Sequence, residues 1–376
     1  YETTPNGFNT PPRGWNSFGL QGRKGITYNQ DFVIEQCDAM AAKLGSYGYI
    51  YCSLDSGWSM GTSGDDYGRI IGNSTIFGMT ALADHLHGKG LELGVYVVPG
   101  YFESDGDKYI YGTDPPIQLS TIGTGHNNGL SRIDINITAP GAQEWCNSVI
   151  DLFASWGVDF IKLDYITPGS PDNGANLAPD TSGNVICYHR AISQCGRQMR
   201  LDISWKLDYV DSDYYDIWKT NADSMRIDQD INNSGGSKTF TAWETVQRTI
   251  EQYREYILVQ DSRGVPLTIY PDMDNLYVGN AASLTGLTDD QRRLVVTHWV
   301  GAGANLILGS DMTQLDKLGL SLLTNPRILD VADFTAKYPM TPKFGDDLTK
   351  GPQAQLWLAG PDPDTGIAVI ALVNYG

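Results

Sequence analysis

The chain is poor in the residues that hold metals and in positive charge. Its five histidines are scattered, and its five cysteines form no CxxC pair. No tetrahedral zinc spacing can be drawn from such a set. Lys and Arg number 26 against 44 Asp and Glu, a net charge of −18. Nucleic acids and anionic membrane surfaces both need basic patches, so neither is an expected partner. No run of residues is long and apolar enough to span a bilayer. These absences remove whole classes of function without naming one.

What is abundant is more informative. Nine Trp and 21 Tyr make the chain rich in aromatic rings. Most must be core, but such rings also suit the flat CH faces of sugars. Strand and helix signals alternate along the chain. Strands are expected at Gly14–Phe18, Tyr49–Leu54, Leu91–Val98, Phe160–Ile166, Leu201–Trp205, Ser224–Ile227, Leu267–Tyr270 and Asn305–Leu308. Helices are expected at Asp31–Leu44 with Asn29 as N-cap, Gly78–Lys89, Ala142–Trp156, Cys187–Arg197, Trp243–Leu258 and Asp289–Trp299. That order and length predict a (β/α)8 TIM barrel, an α/β fold, over residues 1–325. The stretches 101–132 and 167–183 are too long for ordinary βα loops and read as substrate-facing insertions. Beyond Lys350, Gln355–Ala359 and Ile367–Val373 read as strands without helices between them. Residues 326–376 are therefore expected to be a linker and the first strands of a truncated, antiparallel C-terminal β domain.

One strand carries the chemistry. The apolar run Phe160–Ile166 contains Lys162 and Asp164 at alternate positions, so both point to one side. Such residues are rarely buried without a partner. They predict a site; a buried structural ion pair is the competing reading. A second cluster, Arg226, Asp228 and Asp230, lies at the end of another strand. Two carboxylates on separate strand ends suit glycoside hydrolysis, with one nucleophile and one acid/base. Barrel active sites lie where strands end. The polar and aromatic residues there are Trp15, Asp55, Tyr96, Lys162, Asp164, Ser204, Trp205, Arg226, Asp230, Asp272 and Asp274. Individually, Asp55, Asp272 and Asp274 could be turn residues and Trp15 and Trp205 core. Their convergence on one face argues for a pocket.

Indirect marks point outside the cell. The chain starts at Tyr1, which predicts a removed leader and a secreted protein. Sequons stand at Asn73, Asn136 and Asn232, the expected glycosylation sites. Cys37 with Cys52, and Cys187 with Cys195, have spacings that suit local disulfides, leaving Cys146 free or paired with a missing partner.

The motifs resemble glycoside hydrolase family 27, the α-galactosidase and α-N-acetylgalactosaminidase group. Gly14-Trp15-Asn16-Ser17 resembles its GWNSW opening, and Tyr49–Trp58 its Y-x-x-x-DD-x-W segment. Gly94-Val95-Tyr96 resembles GIY, and Lys162-Leu163-Asp164 resembles KYD. Arg226–Asp230 resembles R-x-x-x-D, and Pro271–Gly279 resembles NDPDMLxVG. Asn325 onward resembles its LTNxxV helix entry, and Leu356–Asn374 the start of its β-sandwich. The resemblance implies a retaining double displacement with Asp164 as nucleophile and Asp230 as acid/base. It also implies an oligo- or polysaccharide substrate and no metal or organic cofactor. Lys162 is expected to keep Asp164 ionised. Asp228 should raise Asp230 while Arg226 lowers it. Asp228 is the rival acid, disfavoured by the Arg-to-Asp spacing of the motif.

Departures from the pattern bear on the sugar. The paired Asp that holds galactose hydroxyls in the family is here Asp55-Ser56, and the following Cys is Gly57. The CEWP or CSWP segment is Ile203-Ser204-Trp205-Lys206, and its later Tyr is missing. The resemblance therefore implies an α-galactosidase-like enzyme, with three family activities as alternatives. These are a β-L-arabinopyranosidase, an isomaltose-releasing dextranase and an α-N-acetylgalactosaminidase. Two other classes compete. A non-catalytic carbohydrate-binding barrel would not need both Asp164 and Asp230. A Schiff-base isomerase or lyase would need Lys162 unprotonated, which Asp164 opposes.

Overall fold

A computed structural model describes residues 1–127, 131–169, 177–343 and 354–375. Eight parallel strands alternate with eight helices. The strands are β1 (Arg13–Asn16), β2 (Tyr51–Leu54), β3 (Glu92–Val97), β4 (Val158–Leu163), β5 (Arg200–Ile203), β6 (Ser224–Arg226), β7 (Tyr270–Asp272) and β8 (Leu306–Leu308). The helices are α1 (Gln30–Leu44), α2 (Met79–Gly88), α3 (Ala142–Trp156), α4 (Ser182–Gln194), α5 (Ser212–Asn221), α6 (Trp243–Arg263), α7 (Asp289–Ala302) and α8 (Lys317–Thr324). Neighbouring strands pair from β7 back through β1 to β8. Leu276 N–H donates to Ile307 O at 2.7 Å and Asn305 N–H to Pro271 O at 3.2 Å, which closes the ring. The result is a (β/α)8 barrel.

Local chemistry explains the elements. Strands buried on both faces read as continuous apolar runs, as β8 does. Asn29 caps α1 by accepting from Phe32 N–H. A capping box of Thr288 and Gln291 starts α7. Gly94 sits in β3 because a Cβ there would lie 2.2 Å from Ser53 Oγ of the adjacent strand. Beneath the barrel, Tyr51, Phe160 and Ile307 form a small separate core. Arg200 closes that end, donating to Tyr51 Oη at 2.9 Å and lying 3.9 Å from the Phe8 ring centroid.

Three expectations change. The 101–132 stretch, up to residue 127 and from 131, is not a plain loop. Its strands Tyr101–Phe102, Gly123–Asn127 and Arg132–Ile135 form an antiparallel sheet. Residues 128–130, and 170–176 of the second insertion, lie outside the described residues. Helix α5 escapes the sequence reading, because Asp, Tyr and Lys dilute its apolar face. The disulfides are Cys37–Cys52, as expected, and Cys146–Cys187, leaving Cys195 free. Helices α3 and α4 pack side by side, which brings Cys146 to Cys187. Cys187 and Cys195 sit at either end of two turns, about 12 Å apart at the helical rise, too far to bridge.

After α8 comes helix α9 (Pro326–Thr335), which packs on α7. Strands β9 (Met340–Pro342), β10 (Leu356–Ala359) and β11 (Val369–Leu372) form one antiparallel sheet. One face docks on the barrel helices through Trp357, which stacks on Tyr253 at 5.9 Å. A second sheet facing it is not formed by the described residues. No helix among them is long and apolar enough to cross a membrane.

Candidate active site

The C-terminal strand ends hold a connected set of charges. Asp55, just beyond β2, is almost fully buried. Its Oδ2 accepts from Lys162 Nζ at 3.0 Å and Asn16 Nδ2 at 3.1 Å, and its Oδ1 from Ser56 N–H at 2.8 Å. Lys162 thus makes its hydrogen bond to Asp55 and acts on Asp164 only as a nearby charge. Burial opposes the ammonium, yet Asp55 and Asp164 outweigh it and raise its pKa. That state is wrong for a Schiff base.

Asp164 caps β4. It is buried, its carboxyl hydrogen-bonds the Tyr96 hydroxyl, and its Oδ1 has no partner among the described residues. An unpartnered carboxylate oxygen in a buried site is costly unless something else completes it. Burial pushes the Asp164 carboxyl above its usual range; Lys162 opposes this and Asp230 adds to it. The expectation that Lys162 alone settles the ionisation therefore gives way to a dominant desolvation effect.

Asp230 is the opposite case. Its side chain is 63% exposed, and Arg226 Nη2 donates to its Oδ1 at 2.9 Å. The pocket wall around it desolvates it in part and pushes it up, but Arg226 and Lys162 outweigh that and hold it below the usual carboxylate range. The expected lift from Asp228 does not prevail, because Asp228 is committed elsewhere. Asp228 is almost fully buried and accepts from Arg248 Nε at 2.8 Å and Thr249 Oγ1 at 2.6 Å. Lys206 Nζ stands 3.9 Å from its other oxygen. A carboxylate so enclosed cannot reach a substrate, which removes the rival acid.

The remaining residues split into lining and bracing. Arg226 is also 3.4 Å from Asp274 Oδ2, and that oxygen accepts from Ile231 N–H at 2.8 Å. Asp274 therefore braces the Arg226–Asp230 segment; Asp272 Oδ1 in turn accepts from Asp274 N–H at 2.8 Å. Ser56 is half-exposed, but Gln21 Nε2 already holds its Oγ at 3.1 Å. Ser204 is buried, and its backbone links to Leu163 and Ile166. Trp205 stacks on Tyr165 at 4.3 Å. Trp15 is fully buried, with Nε1 donating to Ser310 O at 2.9 Å, so it backs the pocket and offers no sugar platform. Asn16, Tyr165 and Arg248 were missed by the sequence reading. Asn16 and Tyr165 adjoin residues it had chosen, whereas Arg248 gives no sequence signal, being one Arg among several on an amphipathic helix.

Of the sequons, Asn136 is exposed and Asn73 partly so. Each accepts from its own Thr hydroxyl at 2.7 Å; Asn232 is half-buried.

Similar proteins were found by sequence and by structure. The family model described as alpha galactosidase A matches residues 133–333, more than half the chain. Alpha-galactosidase 3 of Hypocrea jecorina is 46% identical over 388 residues, covering 99% of this chain and 61% of its own length. The chain thus spans under two thirds of that relative. A family 27 β-L-arabinopyranosidase from Geobacillus stearothermophilus, solved with arabinose, shares the fold at a TM-score of 0.76 and 24% identity. That match covers 94% of this chain and 83% of the other. An α-galactosidase from Saccharomyces cerevisiae has a TM-score of 0.67 at 19% identity, covering 100% and 76%.

Proposed function

The chain belongs to the α-galactosidase family, glycoside hydrolase family 27, and on that premise we propose that it is a secreted, retaining glycoside hydrolase. The observation that carries the reading is the pairing of two unlike carboxylates. Asp164 is buried with a free oxygen, and exposed Asp230 lies close enough for its charge to act on it. Asp164 attacks the anomeric carbon and forms a glycosyl ester, while Asp230 gives its proton to the leaving oxygen. Asp230 then takes a proton from the water that releases the sugar. Arg226 favours the charged form of Asp230. A leaving group set against it excludes water from a side chain that is 63% exposed, and that desolvation raises its pKa toward the acid role.

The substrate is a terminal glycoside of an oligo- or polysaccharide, α-galactoside-like. A shifted sugar specificity is the second reading, and Ser56 favours it. A serine already held by Gln21 stands where a carboxylate would grip ring hydroxyls, which weakens simple α-galactosides by about 1.5–3 kcal/mol. Residues 1–325 form the catalytic unit, and 326–376 begin a β-sandwich domain. Asn73, Asn136 and Asn232 carry N-glycans.

Product analysis on melibiose, galactomannan, arabinopyranosides, dextran and N-acetylgalactosaminides identifies the sugar. On the best of these, Asp164→Asn lowers kcat by about three orders of magnitude with the fold intact. Azide restores turnover and yields a glycosyl azide. Wild-type rates in Asp164→Asn overturn the assignment.

A further inference from the structure

Two aromatic residues at the mouth of the site hold backbone conformations that their side chains resist. Tyr165, directly after Asp164, has φ 60°, and Trp205, directly after Ser204, has φ 118°. Bulky residues at positive φ are outliers, and a glycine would sit at either place without strain. Strain of this kind persists where the surroundings enforce it, and it gathers at functional sites. Here the surroundings are two loops zipped together. Ile166 N–H donates to Ser204 O at 3.1 Å, Asp208 N–H donates to Pro168 O at 3.2 Å, and Gly169 bridges Leu207. The outcome is a stacked pair of rings, centroids 4.3 Å apart and tilted 26°, both partly exposed.

We propose that the Tyr165–Trp205 pair is the leaving-group subsite, a platform for the flat face of the sugar or aryl ring that is cut away. The proposal rests on the glycosidase reading above. Its placement follows from the two carboxylates. The glycone must lie over buried Asp164 with its Tyr96, Lys162 and Asp55 neighbours. The leaving oxygen must lie toward exposed Asp230. Tyr165 directly follows Asp164, and its phenol feels the charges of Asp164, Asp230 and Asp55, so the ring adjoins both carboxylates of the site. Aromatic rings bind a pyranose through its CH face and tolerate different substituents, as a subsite for varied leaving groups requires. The second half-reaction uses the same platform. An acceptor hydroxyl attacks the anomeric carbon, the ester bond to Asp164 breaks with its electrons returning to the carboxylate, and the proton passes to Asp230.

The test compares wild type with Tyr165→Gly and Tyr165→Phe. Glycine suits φ 60°, so Tyr165→Gly folds with a Tm at or above wild type. With the best disaccharide substrate, its KM rises about three- to tenfold. Transfer to an added methyl glycoside, relative to hydrolysis, falls by a similar factor. The inhibition constant of the free glycone stays within about twofold. Tyr165→Phe, which keeps the ring, recovers most of the KM and of the transfer lost in Tyr165→Gly. Unchanged KM and unchanged transfer in Tyr165→Gly overturn the proposal. So does an equal rise in the glycone's inhibition constant, which would put the ring on the other side of the bond. A Phe variant as impaired as the Gly variant also overturns it, since the hydroxyl and not the ring would then be at work. Failure of the wild type to cleave any glycoside sinks the glycosidase reading itself; cleavage with an unaffected Tyr165→Gly sinks only the subsite.

Discussion

The two ends of the barrel bury charge in different ways. At the N-terminal end the buried carboxylates Asp159 and Asp223 are fully partnered. Asp159 accepts from His87 Nε2 at 2.8 Å, Leu93 N–H at 2.9 Å and Arg197 Nε at 3.0 Å. Asp223 accepts from Thr4 Oγ1 at 2.5 Å, Asn6 Nδ2 at 2.8 Å and Leu201 N–H at 2.7 Å. Arg200 Nη1 has no hydrogen-bond partner among the described residues, but its guanidinium rests on the Phe8 and Tyr51 rings. At the C-terminal end the arrangement is left open. Asp164 keeps an oxygen with no partner among the described residues, and Tyr165, Trp205 and Asp274 all sit at positive φ beyond their strands. The closed end serves stability, and the open end keeps unmet polar groups and strain for a substrate to use.

The sharpest way to break that contrast is at Asp223. Asp223→Ala strands Thr4, Asn6 and the Leu201 amide at once. Its expected cost is about 2–4 kcal/mol of stability, read from the denaturant midpoint. The turnover number per folded molecule should stay at the wild-type value. A fall in kcat as large as the loss of stability would show that the two ends are not separable.

Arg248 tests the open end from behind. Its Nη2 donates to the carbonyls of Gln229 at 3.0 Å and Asp230 at 2.9 Å, while its Nε holds Asp228. It positions the proposed acid without touching substrate, and its charge helps hold Asp230 low. Arg248→Met should cost about tenfold in kcat/KM, or about 1.4 kcal/mol. Losing the cation raises the Asp230 pKa, so the acid stays protonated to higher pH. The alkaline limb of the kcat profile, which reports the substrate complex, should therefore move up, and Arg248→Lys should restore part of it. A lower rate with an unmoved limb would mean that Arg248 is only a structural brace.

Much of this contrast was legible before the fold was seen. The strands could be placed because parallel strands are apolar runs, and the carboxylates stood out against them. Asp164 and Asp230 fall at strand ends as a barrel requires. The Cys146–Cys187 disulfide was not legible, because helix packing decides it and sequence spacing does not. The balance at Asp230 was also hidden, since Arg226, Lys162 and Asp228 compete there at distances no spacing reveals. The left-handed backbone at Tyr165 gave no signal at all, because the usual marker of such a position is a glycine.

One group at the closed end departs from the rule, and it gives the smallest effect. Glu92 begins β3, half-buried among Asp159, His87, Arg197 and Tyr51. Burial, then the charge of Asp159 and a hydrogen bond to it, raise its pKa to about 7, against the opposing pull of His87 and Arg197. A folded pKa above the unfolded value means that this group's contribution is fully present below about pH 4.5. It is lost as the pH climbs through about 7. Glu92→Gln removes the titration, so stability should become flatter between those limits. At pH 7.5 the variant should exceed wild type by on the order of 1 kcal/mol, since partial exposure screens the charge. Paired denaturation curves at pH 4.5, 6 and 7.5 decide it. If both proteins lose stability in parallel across that range, the slope belongs to another group and Glu92 is as well accommodated as its neighbours.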